Sequence, residues 1–291
     1  MASGWTTTSA LADSLDDIRS SARITREMEG VVSQLVTKET LGEGIGLSWQ
    51  ELTYAKLTAQ AVTENTELDN PQKISDTIMA ITPTMVAVET FLTDRVQARI
   101  NKKGFAKIGV LAQNAVERKK DEDGILLFAT FTGTSDPGAG VTLASGFIAS
   151  AAANIRGNTT EPGKDPIHCV LHPFQIHDLY NELVANVGTG ILTEGPTSRV
   201  LQGGFDLPVA NVKIYPDGNI TIDGSDDALG AVFAKEGVIL VQGRAPIIKT
   251  VRNEKRGGGG EHIYHYDEYA YGERQAVWNY SMQSDATAPT S

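Results

Sequence analysis

Cysteine is nearly missing from this chain. Cys169 is the only one in 291 residues. An intrachain disulfide is therefore excluded, and such usage suits a reducing compartment. Long hydrophobic runs are also missing. No stretch of about 18 apolar residues occurs, which excludes a membrane-spanning helix. Residues 1–8 hold neither a basic stretch nor an apolar core, so no secretory signal is expected there. Positive charge is short as well: 25 Lys and Arg face 36 Asp and Glu, a net charge of −11. A surface of that sign repels phosphate, which argues against DNA binding by the surface as a whole.

The motifs of catalysis are missing too. There is no Gly-x-Ser-x-Gly elbow. Cys169 has only histidines nearby and reads as a small buried apolar residue. Segment 157–165 approaches a phosphate-binding loop. It has one residue too many before Gly163, it opens no helix, and Asp165 stands where Ser or Thr would hold magnesium. The run Gly257 to Gly260 precedes a strand, not a helix. Gly42, Gly44 and Gly46 lack the preceding strand of a dinucleotide fingerprint. Asp121, Asp123 and Gly124, and the acidic cluster 217–227, miss the calcium-loop spacing. His168, His172 and His177 are the most metal-like group, with His262 and His265 elsewhere. Pro173 redirects the backbone between them, and no Asp or Glu sits at a ligand offset. We therefore expect no catalytic, cofactor-binding or metal-ligating residues.

What is present is one long amphipathic segment. Over 93–120, Val96, Ile100, Gly104, Ile108, Leu111 and Ala115 recur at steps of three and four, one stripe of a helix. Thr93 and Asp94 suit its N-terminal end, and Arg118, Lys119 and Lys120 its C-terminal end. Arg95, Arg99, Lys102 and Lys103 form a basic second face. A charged elbow at 119–124 ends it, and a short helix follows at 125–128.

Around this helix the pattern is α+β. Leu11, Leu15, Ile18, Ile24, Met28, Val31, Val32 and Leu35 mark an N-terminal arm with short helices, jointed at Gly42 to Gly46. Segment 47–77 has no stable period and a polar middle with Asn70-Pro71. It reads as an extended two-stranded loop that needs a supporting surface. Alternation predicts a strand over 78–91, with Pro83 marking an edge or a kink. Helices are predicted at 143–155 and 174–184, and a Gly-rich mobile loop at 188–207. Strands are predicted at 167–171, 209–214, 220–222, 228–233, 238–241, 246–251, 262–271 and 277–282. A polar tail follows over 284–291.

The order of these elements, with the stretches ISDTIMAITPTMVAVETFLTDRVQARI, RKKDEDGILLFATFTG, CVLHPFQIHDLYNEL and GVILVQGRAPIIKTVRNEKRGGGGEHIYHYDEYAYGERQAVWNYSM, resembles the major capsid proteins of tailed double-stranded DNA bacteriophages. The resemblance covers about 41–282 and implies the Hong Kong 97 capsid fold. It implies an N-terminal arm at 1–46, an extended β-hairpin loop at 47–77, and a peripheral domain at 78–132 and 237–270 with the spine helix at 93–120. It further implies an axial domain at 133–236 and 271–283, with the polar tail at 284–291. The implied function is a structural one. Copies assemble through pentamers and hexamers into an icosahedral shell around a double-stranded DNA genome. Implied partners are the chain itself, a portal protein, scaffolding and decoration proteins, and packaged DNA without sequence specificity, with no membrane. The expected place is the virion capsid, assembled in the host cytoplasm. Any scaffold or maturation protease is expected to come from another chain or to be absent.

Subunit-contact candidates on this reading are Trp49, Tyr54, Lys56, Leu57, Glu67, Lys73, Arg95, Arg99, Lys102, Arg252 and Arg256. Some relatives crosslink a loop lysine to a neighbour, but nothing marks Lys56 or Lys73 as reactive. Two alternatives stand beside this reading. One is an encapsulin-like compartment shell of the same fold. The other is a metal hydrolase built on His168, His172 and His177.

Overall fold

The computed structural model describes residues 27–28, 30–42, 44, 46–65, 67, 71–95, 102–187, 208–255 and 258–290, with backbone alone over 102–108 and 183–187. In chain order the elements are α1 (Val32–Leu35), β1 (Thr37–Thr40), β2 (Trp49–Tyr54), β3 (Asp76–Ile81), β4 (Thr84–Thr93), α2 (Lys102–Leu126) and β5 (Gly133–Thr134). Then come α3 (Ser145–Gly157), β6 (Ile167–Leu171), α4 (Pro173–Val187), β7 (Lys213–Pro216), β8 (Asp227–Ala234), β9 (Val238–Asn253), β10 (Gly260–Glu273) and β11 (Asn279–Asp285). Short 3₁₀ turns follow α2, precede β9 and precede β11.

Three sheets form among the described residues. A five-stranded sheet has the order β5-β11-β8-β6-β7, a four-stranded sheet the order β1-β9-β10-β4, and β2 and β3 pair only with each other among the described residues. In the five-stranded sheet β6 is buried at all five positions. A strand covered on both faces reads as a continuous apolar run, as Ile167 to Leu171 does. The period of two then separates the faces. Val170, Ala231 and Phe233 join one core cluster with Phe128, Phe131 and Tyr269. Cys169, Leu171, Val232 and Ala234 join the other, against Ile148, Ala151 and Ile155 of α3 and Leu179 of α4. The small residues of α3 let that helix lie close on the sheet.

The chain divides into two units. The smaller contains Val88–Ala115 and Ile248–His265, and the larger contains Met28–Ala87, Val116–Ile247 and Tyr266–Ser291.

Several expectations change. The long helix, expected over 93–120, leaves Thr93 in β4 and runs on to Leu126, while 96–101 lie outside the described residues. The charged elbow is helical because its charges pair one turn apart, Arg118 with Glu122 and Lys119 with Asp123. The buried stripe is also displaced by one position. Leu111 is exposed, whereas Ala112, Val116, Lys120 and Gly124 are buried. Small residues and one ion-paired lysine carry that face, so large apolar residues marked it poorly. Of the expected stripe, Val96 and Ile100 are outside the described residues.

The strand expected over 78–91 is two strands, broken at Thr82 and Pro83 where proline removes a ladder donor. The strands expected at 238–241 and 246–251 are one 16-residue strand, since Gln242 and Gly243 stay extended. Val209 and Val212 make only an isolated bridge, as does Ile222 with Ala228. The start of the expected polar tail is structured: Ser284 and Asp285 end β11, and Ala286 is buried. The arm's residues 1–26 and the Gly-rich stretch 188–207 lie outside the described residues.

Candidate functional site

The β2–β3 hairpin is the feature that its own fold leaves incomplete. The strands are antiparallel, with Trp49 opposite Ile81, Leu52 opposite Ile78 and Tyr54 opposite Asp76. Alternation gives the hairpin two different faces. At the base, Trp49 and Met79 lie on the face that packs with Leu41 against buried Ile81, Ile239 and Val241. Glu51 lies on that face too. Its carboxylate accepts two hydrogen bonds from the Arg274 guanidinium, 2.7 Å from Nε and 2.5 Å from Nη2. That bidentate geometry fixes direction as well as position. The hydrogen bonds to Glu51 hold the Arg274 guanidinium above its ordinary range, against the opposing effect of burial.

Among the described residues nothing gives the opposite face such cover. Leu52, Tyr54 and Ile78 project from it, with Tyr54 64% and Ile78 62% exposed. Beyond the strands, Leu57, Val62 and Ile74 are exposed as well, and Leu47 at the base is 85% exposed. Exposed apolar side chains scattered singly are ordinary, but a concentrated set marks a surface that meets something. In the outer part, from Ala55 to Ser75, Ala55 N donates to Ser75 O at 2.9 Å, and Thr58 N to Gln72 Oε1 at 2.8 Å.

The sequence-derived contact candidates divide accordingly. Tyr54, Lys56, Leu57, Glu67 and Lys73 are exposed on the hairpin and its loop, whereas Trp49 is half-buried and anchors the base. Arg252, in the smaller unit, is exposed and donates through Nη2 to Asp94 Oδ2 at 2.9 Å, and it also pairs with Glu254. Arg95 is exposed beside Asp94. Only the backbone of Lys102 is described, and Arg99 and Arg256 lie outside the described residues.

The histidines do not converge. His168 lies on β6 with its ring against Tyr215 and Phe233. Burial, then Lys235 and Lys213, hold its imidazole below the ordinary range. His172 accepts a hydrogen bond at Nδ1 from Phe174 N, 3.2 Å away, so it caps the strand–helix corner, and burial lowers it too. His177 pairs with Asn181 on α4. Among the described residues no group of three or more His, Cys, Asp or Glu could hold a metal ion. The Cys169 thiol is fully buried, and burial pushes it upward, away from the thiolate a nucleophile needs. A half-open cleft of about 420 Å³ at the hairpin base is lined by Thr40, Leu41, Gly42, Gly46, Leu47, Ser48, Trp49 and Gln50. None of its described lining residues is a general acid or base, and the Ser48 hydroxyl is hydrogen-bonded to that of Thr82 at 2.7 Å.

Sequence reasoning missed one polar centre. Asp121 of α2 and Asp217 after β7 are both buried and meet around Asn219. Each lies in an acidic motif that by itself misses the calcium-loop spacing. Nothing in the local spacing joins them, because Asn219 and Asp121 are 98 residues apart.

No family model matches the sequence, and no curated protein matches it. Solved structures do. A chain of Mycobacterium phage Che8 is similar with a TM-score of 0.71 at 15% identity, over 90% of this chain and 94% of that one. A chain from the capsid of the cyanophage P-SCSP1u is similar with a TM-score of 0.68 at 13% identity, over 92% of each chain. The capsid of Ralstonia phage GP4 gives 0.67 at 13% identity, over 93% of this chain and 95% of that one. The chain has the Hong Kong 97-like phage capsid fold. At such identities the capsid fold is carried by the order and packing of elements. The sequence resemblance rested on the same order. Within this capsid fold the apolar hairpin, not a pocket, is the candidate functional surface.

Proposed function

We propose that this chain is the major capsid protein of a tailed double-stranded DNA phage, a structural subunit and not an enzyme. Copies assemble through pentamers and hexamers into an icosahedral shell that encloses the genome. The observation that carries this reading is the likeness over about nine-tenths of the chain to solved phage capsids. The exposed apolar face of the hairpin supports it, since a second copy is a natural cover for Leu52, Tyr54 and Ile78.

On this reading 1–46 is the arm, and 47–77 is the loop laid on a neighbour, with the hairpin continuing to Ile81. The peripheral domain is 78–132 with 237–270, and the axial domain is 133–236 with 271–283. Partners are a portal protein, scaffolding and decoration proteins, and DNA packaged without sequence specificity. The protein resides in the virion capsid after assembly in the host cytoplasm. The net charge of −11 suits a wall that does not grip its contents.

The test is a charge placed on the uncovered face. Leu52→Asp with Ile78→Asp is expected to leave the circular dichroism spectrum and melting temperature of the subunit unchanged while abolishing fast-sedimenting assemblies. Shells that form normally from this variant contradict the proposal. Shells of the natural chain that hold protein cargo and no DNA favour the compartment alternative.

A further inference from the structure

Two buried carboxyl groups close on the segment that leads out of the arm. Asp121 Oδ1 accepts a hydrogen bond from Val32 N at 3.0 Å, and Asp217 Oδ2 one from Val31 N at 3.5 Å. Asn219 ties the pair together: its Nδ2 donates to Asp121 Oδ2 at 2.9 Å and its backbone N to Asp217 Oδ1 at 2.9 Å. The fit is close. A Cβ on Gly30 would stand 2.3 Å from Asp121 Cγ, and one on Gly218 would stand 2.8 Å from Met28 Sδ. Asp121 is 1% and Asp217 0% exposed. Two ionised carboxylates in such a place repel each other, and a single shared proton removes the repulsion.

We propose that Asp121 and Asp217 form a proton-dependent latch on the segment Gly30–Thr40: with one proton shared between them they hold it tightly, and loss of that proton loosens it. This concerns the folded chain and is independent of the shell reading.

Among the described residues no cation compensates the pair. Lys120, next to Asp121, gives its ammonium to Asp267 at 2.7 Å. Lys119 gives its own to Asp123 at 2.6 Å. From β10, Tyr271 faces Asp121 with a buried hydroxyl that has no hydrogen-bond partner, and Glu117 and Asp123 act on the same phenol. Residues 30–36 carry no titratable side chain. Burial first, and then the Asp121 charge and hydrogen bond, push the Asp217 carboxyl up to about 7, against the pull of the N–H groups of Asn219 and Val31.

The direction follows from linkage. A carboxyl group raised in the folded state adds stability that is complete below its unfolded value of 3.8 and is lost as pH rises through about 7. Val32, Leu35 and Val36 remain buried by their own apolar surface. The pair therefore sets how tightly the segment is held, and the segment does not depart.

Hydrogen exchange of the purified full chain, corrected for the intrinsic pH dependence of exchange, tests this between about pH 4 and about pH 8. Protection over 30–40 is expected to fall by up to about tenfold per pH unit, the limit for one proton, as pH rises from about 4 toward about 7, and to level off above it. Protection of β6 and β8 is expected to stay constant. Asp217→Asn, which keeps a hydrogen-bond donor without a titrating proton, is expected to hold protection level. Level protection in the natural chain, or a parallel fall in Asp217→Asn, overturns the latch. A matching fall in β6 and β8 shows global loosening and overturns it too. Restoration by millimolar calcium at high pH makes the pair a cation site and equally overturns it.

Discussion

Lys120 shows how far a residue's fate lies beyond its own identity. By position it belongs with Arg118 and Lys119 as a cation at a helix end. In the fold it turns inward, 2.7 Å from Asp267, 3.3 Å from Gln242 Oε1 and 4.9 Å from the centre of the Tyr269 ring. Asp267 is itself 2% exposed. Removing one partner of a buried pair leaves a charge without compensation, at a cost of about 3–5 kcal/mol. Asp267→Asn is therefore expected to lower stability by that order in a urea or guanidinium titration read by circular dichroism. A change within about 0.5 kcal/mol, the range of ordinary surface substitutions, contradicts the burial argued for this pair. The Asp121–Asp217 pair lies at the same scale. Its residues were visible in the sequence as two acidic motifs, but their meeting depends on where α2 and the turn after β7 are placed, which no local spacing records.

At the scale of elements, legibility followed the clarity of each period. Ile167 to Leu171 is continuously apolar and became the buried β6. The Ala-rich run near 143–155 became α3, shifted by two residues to Ser145–Gly157. The long helix was visible, but its end and its buried side were not. Paired charges at 118–123 read as a break, and Ala112, Val116 and Gly124 are too small to announce a core face. The loop at 47–77 was recognised as extended and two-stranded, and Pro83 as a break. What escaped was that Ile78 to Ile81 complete the hairpin. That geometry refines the experiment on the loop. Trp49, Glu51 and Ile81 tie the hairpin base to the rest of the larger unit, so replacing 56–73 by a short turn leaves the anchor in place. The subunit is expected to keep its melting temperature, and shells are expected to fail. A lost fold in this variant places the loop in the subunit's own stability, and normal shells remove it from assembly.

For the whole molecule the central question is where the uncovered surface goes. The five-stranded sheet buries both of its faces inside one chain, so the larger unit has a core of its own. The hairpin has one face packed at its base and one left apolar and exposed. An assembling subunit has reason to be built in that way, since apolar area kept outside its own core remains for a neighbour. Electron microscopy of the particles formed by the full chain, expressed alone and together with the genes that flank it, tests this most directly. The account predicts closed icosahedral shells of pentamers and hexamers, with density of a neighbouring copy covering Leu52, Tyr54 and Ile78. A chain that stays monomeric in both settings, or shells in which that face remains bare, contradicts it.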